Sequence, residues 1–167
     1  MVTGLSIRRL LLKIAIVGCG NVLMGDEGVG PYVVEEIRKR GVTAPEVELI
    51  ELGVRGLELV DLIERYDRIF IVDAVKTGGK LGSVHVFSCG DIRSFPSCSI
   101  LTLHDLGLIT VLKLCEKLYG DVSGKIKIYG VEVSDIESVK SGLSRSVKQG
   151  ASEVIRLLER EVSVILK

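Results

Sequence analysis

The stretch Arg68-Ile-Phe-Ile-Val-Asp-Ala-Val75 limits the possible folds more than any other part of this chain. Its apolar residues follow one another instead of alternating with polar ones. A strand of that kind must be covered on both faces, which places it at the centre of a largely parallel sheet between two layers of helix. Yet it contains Asp73, and an ionised carboxylate there is costly unless it is paired, hydrogen-bonded or bound to a metal. In 167 residues, 47% hydrophobic and 26% charged, there is room for one such sheet and its helices, with a substantial single core.

The remaining chain fits around this strand. Short β-branched runs alternate with amphipathic stretches, the pattern of an α/β three-layer sandwich with a mostly parallel sheet of about five strands. Strands are expected at Lys13 to Cys19, Val47 to Leu52, Arg68 to Val75, Ser83 to Ser88 and Lys125 to Val133. The turn Thr77-Gly78-Gly79-Lys80 predicts that the fourth runs antiparallel to the third, as in a hairpin. A first helix is expected from Pro31 to Arg40, with Pro31 at the first helical position and Gly41 as the stop. A second spans Gly56 to Arg65 and buries Leu59, Val60 and Ile63. A third extends from near Thr102 to Tyr119, with Leu108, Val111, Leu112, Cys115 and Leu118 on its apolar side. Ser144 is placed to cap the last helix, where Val147, Ala151, Val154, Leu158, Val162 and Ile165 recur at helical spacing. Residues 12–167 read as one domain, and residues 1–11 as a short extension without a functional signal.

Charge narrows the function. Lys+Arg and Asp+Glu each number 22, so no basic footprint points to nucleic acid or an anionic membrane. Aromatic residues make up 4% and tryptophan is absent, which removes a base-stacking platform. Lys13 interrupts the apolar cluster Leu10-Leu11-Leu12, and no apolar run reaches membrane-spanning length. Cys19, Cys89, Cys98 and Cys115 form no C-x-x-C pair, so a reducing cytoplasm is the expected setting.

Three places carry candidate chemistry. Gly18-Cys19-Gly20, after the first strand, supplies two glycines of a dinucleotide fingerprint, and Glu51 occupies the ribose-binding place. The third glycine is missing, since position 23 is Leu, and Asp26 and Glu27 would repel a pyrophosphate. A cation explains that negative charge better. Asp73 closes the apolar run at the carboxyl end of a central strand; the plainer alternative is a carboxylate accepting backbone hydrogen bonds at the strand exit. His104 follows Thr102 in a T-x-x-D capping-box spacing, where the helix dipole keeps an imidazole neutral, although a simple capping or surface role fits it too. His85, in the middle of a strand, reads as structural. In an open α/β sheet functional groups gather beyond the carboxyl ends of the strands. Glu27 and Asp73 belong to that edge, and His104 does if its loop crosses back over the sheet. Two carboxylates and an imidazole suit a divalent ion of the zinc or nickel kind.

The pattern Gly18-x-Gly20-Asn21-x-Leu23-x-x-Asp26-Glu27-x-x-Gly30, with Val72-Asp73-Ala74, His104-Asp105-Leu106-Gly107, Gly53 and Gly56-Leu57-Glu58-Leu59, resembles the hydrogenase maturation endopeptidases from about Lys13 to Glu161. Members of that family remove a C-terminal extension from the precursor of the nickel–iron hydrogenase large subunit. The resemblance implies a phosphorylase/hydrolase-like sandwich and a metal-binding, catalytic trio of Glu27, Asp73 and His104. It also implies nickel as the recognition element, carried by the precursor, with zinc or another divalent ion able to substitute. Val54 departs from it, since many relatives have Thr there.

No G-x-S-x-G elbow, H-E-x-x-H helix or D-T-G motif offers another protease chemistry. Cys19 and Cys89 lack a histidine at a suggestive spacing. Two other readings stand beside the endopeptidase: a nucleotide-binding oxidoreductase, and a non-catalytic nickel chaperone using the same trio.

Overall fold

Ile14–Cys19 forms strand β1, buried at every position. The computed structural model describes residues 12–41, 44–94, 99–100, 107–134 and 141–167. After β1 come a short 3-10 turn, Gly25–Gly28, helix α1 (Val29–Arg40), β2 (Val47–Gly53), α2 (Glu58–Arg65) and β3 (Arg68–Lys76). The chain continues through β4 (Val84–Ser88), α3 (Cys89–Ser94), β5 (Ser99–Ile100), α4 (Gly107–Tyr119), β6 (Ile126–Glu132) and α5 (Arg145–Ile165).

The sheet order is β2-β1-β3-β6-β4. β1, β2, β3 and β6 are mutually parallel, β4 runs antiparallel to β6, and β5 pairs antiparallel with β3. Pairing of β1 with β3 ends at Gly18↔Val72. Beyond that point Val75 pairs with Glu132 on one side and Ile100 on the other. Because β6 occupies one edge, β5 lies on the side that β1 has vacated, over the end of that strand.

β3 shows why three layers form. Ile69, Ile71 and Val75 enter one core with α2 and α4, while Phe70, Val72 and Ala74 enter the other with α1 and α5. Side chains alternate faces along a strand, so both cores are served by one nine-residue segment. Burying a side chain such as Ile71 or Phe70 stabilises by about 1.5–3 kcal/mol each. The α/β sandwich with a mostly parallel sheet is therefore as expected.

Several local expectations are corrected. β4 has the predicted direction but is not the neighbour of β3, since β6 lies between them. The Thr77–Lys80 turn is thus a crossover turn and not a hairpin. α1 begins two residues before Pro31, with Gly28 as N-cap; Gly41 ends it in the left-handed conformation, φ 65°. In α2 Leu62 is buried and Val60 only partly so. In α4 Val111, Leu112 and Cys115 are buried, but Leu118 is 58% exposed, because the last turn outruns the core. Ser144 does cap α5, its hydroxyl accepting from the Val147 amide at 3.4 Å. The proposed extension at 1–11 and the predicted capping box at Thr102 and Asp105 lie outside the described residues. No helix among the described residues is long and apolar enough to cross a membrane.

Candidate active site

Glycines make the loop after β1 fit. A Cβ on Gly18 would lie 2.5 Å from the Gly30 carbonyl oxygen and 2.8 Å from the Pro31 nitrogen. One on Gly30 would meet the Val72 carbonyl oxygen at 2.5 Å and the Cys19 nitrogen at 2.6 Å. Gly20, at φ 131°, would drive a Cβ into the Glu27 carbonyl. These three positions bring the start of α1 against the ends of β1 and β3. Their open sides are filled by backbone, which leaves no glycine surface there for a pyrophosphate to approach and weakens the nucleotide reading.

The loop itself is hydrogen-bonded. The Asn21 side chain accepts from the Leu23 amide at 3.0 Å, and its carbonyl accepts from Met24 at 3.0 Å. Met24 in turn accepts from the Glu27 amide at 3.3 Å. Within the 3-10 turn the adjacent carboxylates diverge. Asp26 is buried and its Oδ1 accepts from the Ser144 amide at 2.6 Å, tying the loop to the N-cap of α5. Glu27 is half-buried, and its Oε2 is closed to solvent. The turn carrying it packs against β3.

Asp73 is completely buried, with Oδ2 closed to solvent and Oδ1 accepting from the Ala74 amide at 2.7 Å. Alternation along β3 puts its side chain on the face of α2 and α4. Gly130 is its register partner on β6, and Cys19, one residue past the Gly18↔Val72 pair, flanks it on β1. Burial pushes the Cys19 thiol well above its ordinary range, and the charge of Asp73 pushes it further. A thiol kept protonated is a poor nucleophile. Cys19 is a buried neighbour of Asp73.

His104 lies outside the described residues, so its place in the site stays an expectation. The segments flanking it are described. Ile100 pairs with Val75, two residues beyond Asp73. Gly107 begins α4, which leads by way of Gly120 to the start of β6 and therefore begins at the carboxyl edge of the sheet. Among the described residues no three metal-ligating side chains converge. The two described members of the expected trio, Glu27 and Asp73, come from the loop after β1 and from β3. Their oxygens suit a hard or borderline divalent cation.

One cluster escaped the sequence reading. Glu132, at the end of β6, is buried, and its Oε1 accepts from the amides of Thr77, Gly78 and Gly79 at 2.8, 3.0 and 3.2 Å. Its Oε2 accepts from the Thr77 hydroxyl at 2.7 Å and faces His85 Nε2 at 3.0 Å. Burial opposes ionisation, but the Thr77 hydroxyl and the three amides outweigh it and hold the carboxyl below its ordinary value. The turn that looks self-contained in sequence is thus held by a carboxylate from another strand. His85 is part of that support, in keeping with a structural role.

Known proteins resemble this chain in sequence and fold. Residues 31–161 match the family described as hydrogenase maturation protease, a span that contains Asp73 and His104 and begins just after Glu27. The chain is 28% identical over 145 residues to the hydrogenase expression/formation protein HupD of Thiocapsa roseopersicina, covering 87% of this chain and 65% of that protein. The chain thus spans slightly less than two thirds of that relative's length. Among solved structures, the [NiFe] hydrogenase maturation protease HybD from Thermococcus kodakarensis superposes with a TM-score of 0.70 at 26% identity, covering 89% of this chain and 98% of that one. The hydrogenase maturating endopeptidase HybD from E. coli shares the fold, with a TM-score of 0.75 at 24% identity, covering 88% and 90% of the two chains. With most of its length inside the family match, and with the glycine-built loop and buried Asp73 at one sheet edge, the chain belongs to the hydrogenase maturation protease family.

Proposed function

We propose that the protein is a metal-dependent endopeptidase that removes the C-terminal extension of a nickel-loaded hydrogenase large-subunit precursor, with Glu27, Asp73 and His104 as the ligand trio. The observation that carries this reading is Asp73: a completely buried aspartate at the carboxyl end of a central strand, beside the loop that supplies Glu27. A carboxylate so placed, with Oδ1 held by the Ala74 amide, is suited to hold a cation shared with the substrate.

The chain's own groups have separable tasks. Asp73 is anchored through Oδ1 to the Ala74 amide, which fixes its direction. Glu27 rides on a turn pinned by Gly20, Met24 and the Asp26–Ser144 bond. Burial of Asp73 and of the Glu27 Oε2 limits water there and strengthens their electrostatic action. When bound, a divalent ion supplies Lewis-acid polarisation of the scissile carbonyl. Nickel is taken to arrive with the precursor, and zinc or another divalent ion can occupy the same ligands. Three protein ligands leave positions for those of the precursor.

The test is processing of purified nickel-loaded precursor, followed by intact-mass measurement. Asp73→Asn keeps the shape and removes the charge, so it abolishes loss of the tail; Asp26→Asn retains most of it. Equal processing by both variants refutes the assignment. A chaperone without peptidase activity is recognised by precursor that binds but keeps its tail.

A further inference from the structure

Among the described residues the buried acidic side chains are Asp26, Asp73 and Glu132, and all of them lie at the carboxyl edge of the sheet. Asp26 ties the loop after β1 to α5, and Asp73 is an expected ligand. Glu132 has no task in the mechanism. Its carboxylate is nevertheless full. Oε1 accepts from the amides of Thr77, Gly78 and Gly79, and Oε2 faces the Thr77 hydroxyl and His85 Nε2. A carboxylate offers about four lone-pair sites, and these five groups take them up. That leaves no site for an ion, and an exposure of 3% leaves no surface for a precursor to touch.

What Glu132 holds is the end of β3. Register between β3 and β6 stops at Val75↔Glu132, with the Val133 amide donating to the Val75 carbonyl at 3.0 Å. Past that pair the Glu132 side chain replaces the backbone ladder as acceptor. Its backbone works in the other direction: the Glu132 amide donates to the Ser83 carbonyl at 2.9 Å, and its carbonyl accepts from the Gly82 amide at 2.8 Å. One residue thus closes both ends of the connection from β3 to β4. β5 depends on that closure. Val75 and Lys76 pair with Ile100 and Ser99 beyond the end of β1. A strand of two residues is too short to keep its place alone and takes it from the strand it pairs with. His104 follows four residues after Ile100, a tether of about 14 Å at full extension.

We infer that Glu132 is a positioning residue of the active site: by fixing the end of β3 and the β5 strand paired there, it sets where the chain starts toward His104 relative to Asp73. This rests on the reading of Glu27, Asp73 and His104 as the ligand trio. The consequence beyond stability is specific. Loss of the Glu132 acceptor weakens the ion site, and does so through His104.

The test is titration of metal-stripped enzyme with zinc ions, beside the rate of precursor processing and thermal melting. Glu132→Leu removes the acceptor and is expected to lower zinc affinity and processing rate about tenfold, the lower end for groups that support a ligand from behind. Glu132→Gln keeps an acceptor oxygen for the three amides, so it loses stability but recovers most of the affinity and rate. The decisive arm is a double-mutant cycle. His104→Ala weakens zinc binding by itself, and Glu132→Leu then adds no further loss, because the ligand it positions is gone. A further tenfold loss in the His104→Ala background overturns the inference, as does equal loss of zinc affinity in the Gln and Leu variants. If Glu132→Leu does not melt cooperatively, Thr77→Val, which removes only the hydroxyl bonded to Oε2, takes its place in the cycle under the same criterion. If His104→Ala binds zinc like the parent, the ligand trio is wrong and the inference falls with it. If His104→Ala weakens zinc binding and Glu132→Leu does not, only the positioning role fails.

Discussion

Replacing Gly30 by alanine adds one carbon where α1 crosses the ends of β1 and β3. That carbon would lie 2.5 Å from the Val72 oxygen and 2.6 Å from the Cys19 nitrogen, with the Cys19 oxygen also in its way. Ordinary contact begins near 3.4 Å, so the helix start must withdraw by about 1 Å. Two effects compete. Alanine is the better helix former by about 1 kcal/mol, whereas overpacking costs about 1–3 kcal/mol, at the upper end when the obstacles are backbone. The clash wins, for a net loss of about 2 kcal/mol and a fall in Tm of about 4–8 °C. Because Glu27 rides on the preceding turn and Asp73 follows Val72, the same 1 Å opens the site, at about a hundredfold cost in rate. Urea unfolding and precursor processing measure the two losses. Gly41→Ala is the comparison: its φ is 65° with nothing within 4 Å, so it costs about 1–2 kcal/mol of backbone strain and leaves activity intact. A Gly30→Ala protein that is more stable than the parent and fully active would refute this account of the loop.

Glu132→Gln keeps one carbonyl acceptor but loses charge-assisted bonds to the Thr77 turn, at about 1–3 kcal/mol in urea unfolding. Since the folded carboxyl titrates below its ordinary value, the stability difference from the parent is full above the ordinary carboxylate range and vanishes as pH falls through the folded value. A difference independent of pH contradicts the assignment. Asp26→Ala removes the acceptor of the Ser144 amide in a part-buried bond and costs about 1 kcal/mol, while Asp26→Asn, which keeps the acceptor oxygen, costs less; equal melting temperatures for the two variants contradict that role. Cys19→Ala retains processing, and thiol alkylation of the native enzyme is slow at neutral pH because the thiol is buried and protonated. Rapid inactivation by an alkylating reagent at Cys19 would reverse that conclusion.

The layers were legible because β3 carries two cores within one continuous apolar run, and because α1 and α5 repeat apolar residues at helical spacing. The hairpin error has a physical source. Thr77-Gly78-Gly79-Lys80 has the residues of a tight turn, but its acceptor is Glu132, 55 residues away from Thr77, and β6 enters between the strands it joins. No local pattern carries that information. β5 has two residues, too few for any period to register, yet it places the chain beyond the end of β1. Asp26 and Glu27 look equivalent in sequence. The 3-10 turn sends Asp26 to Ser144, 118 residues away, and leaves Glu27 at the β3 side. That the loop carrying Glu27 and the strand carrying Asp73 meet at one edge was readable because a glycine-rich loop and a central strand end at the same edge in any parallel sheet of this order. Leu118 was misassigned because periodicity marks a face of a helix and does not tell where the core beneath it stops.

The central claim is that cleavage depends on an ion held jointly by enzyme and precursor. The most direct measurement is the rate of tail removal, by intact mass, from one precursor preparation split into nickel-loaded and nickel-free halves and treated with metal-stripped enzyme. The account predicts cleavage of the loaded half alone, abolished by Asp73→Asn and by His104→Ala in enzyme that still melts cooperatively. Equal rates on the two halves, or full activity of either variant, would contradict it.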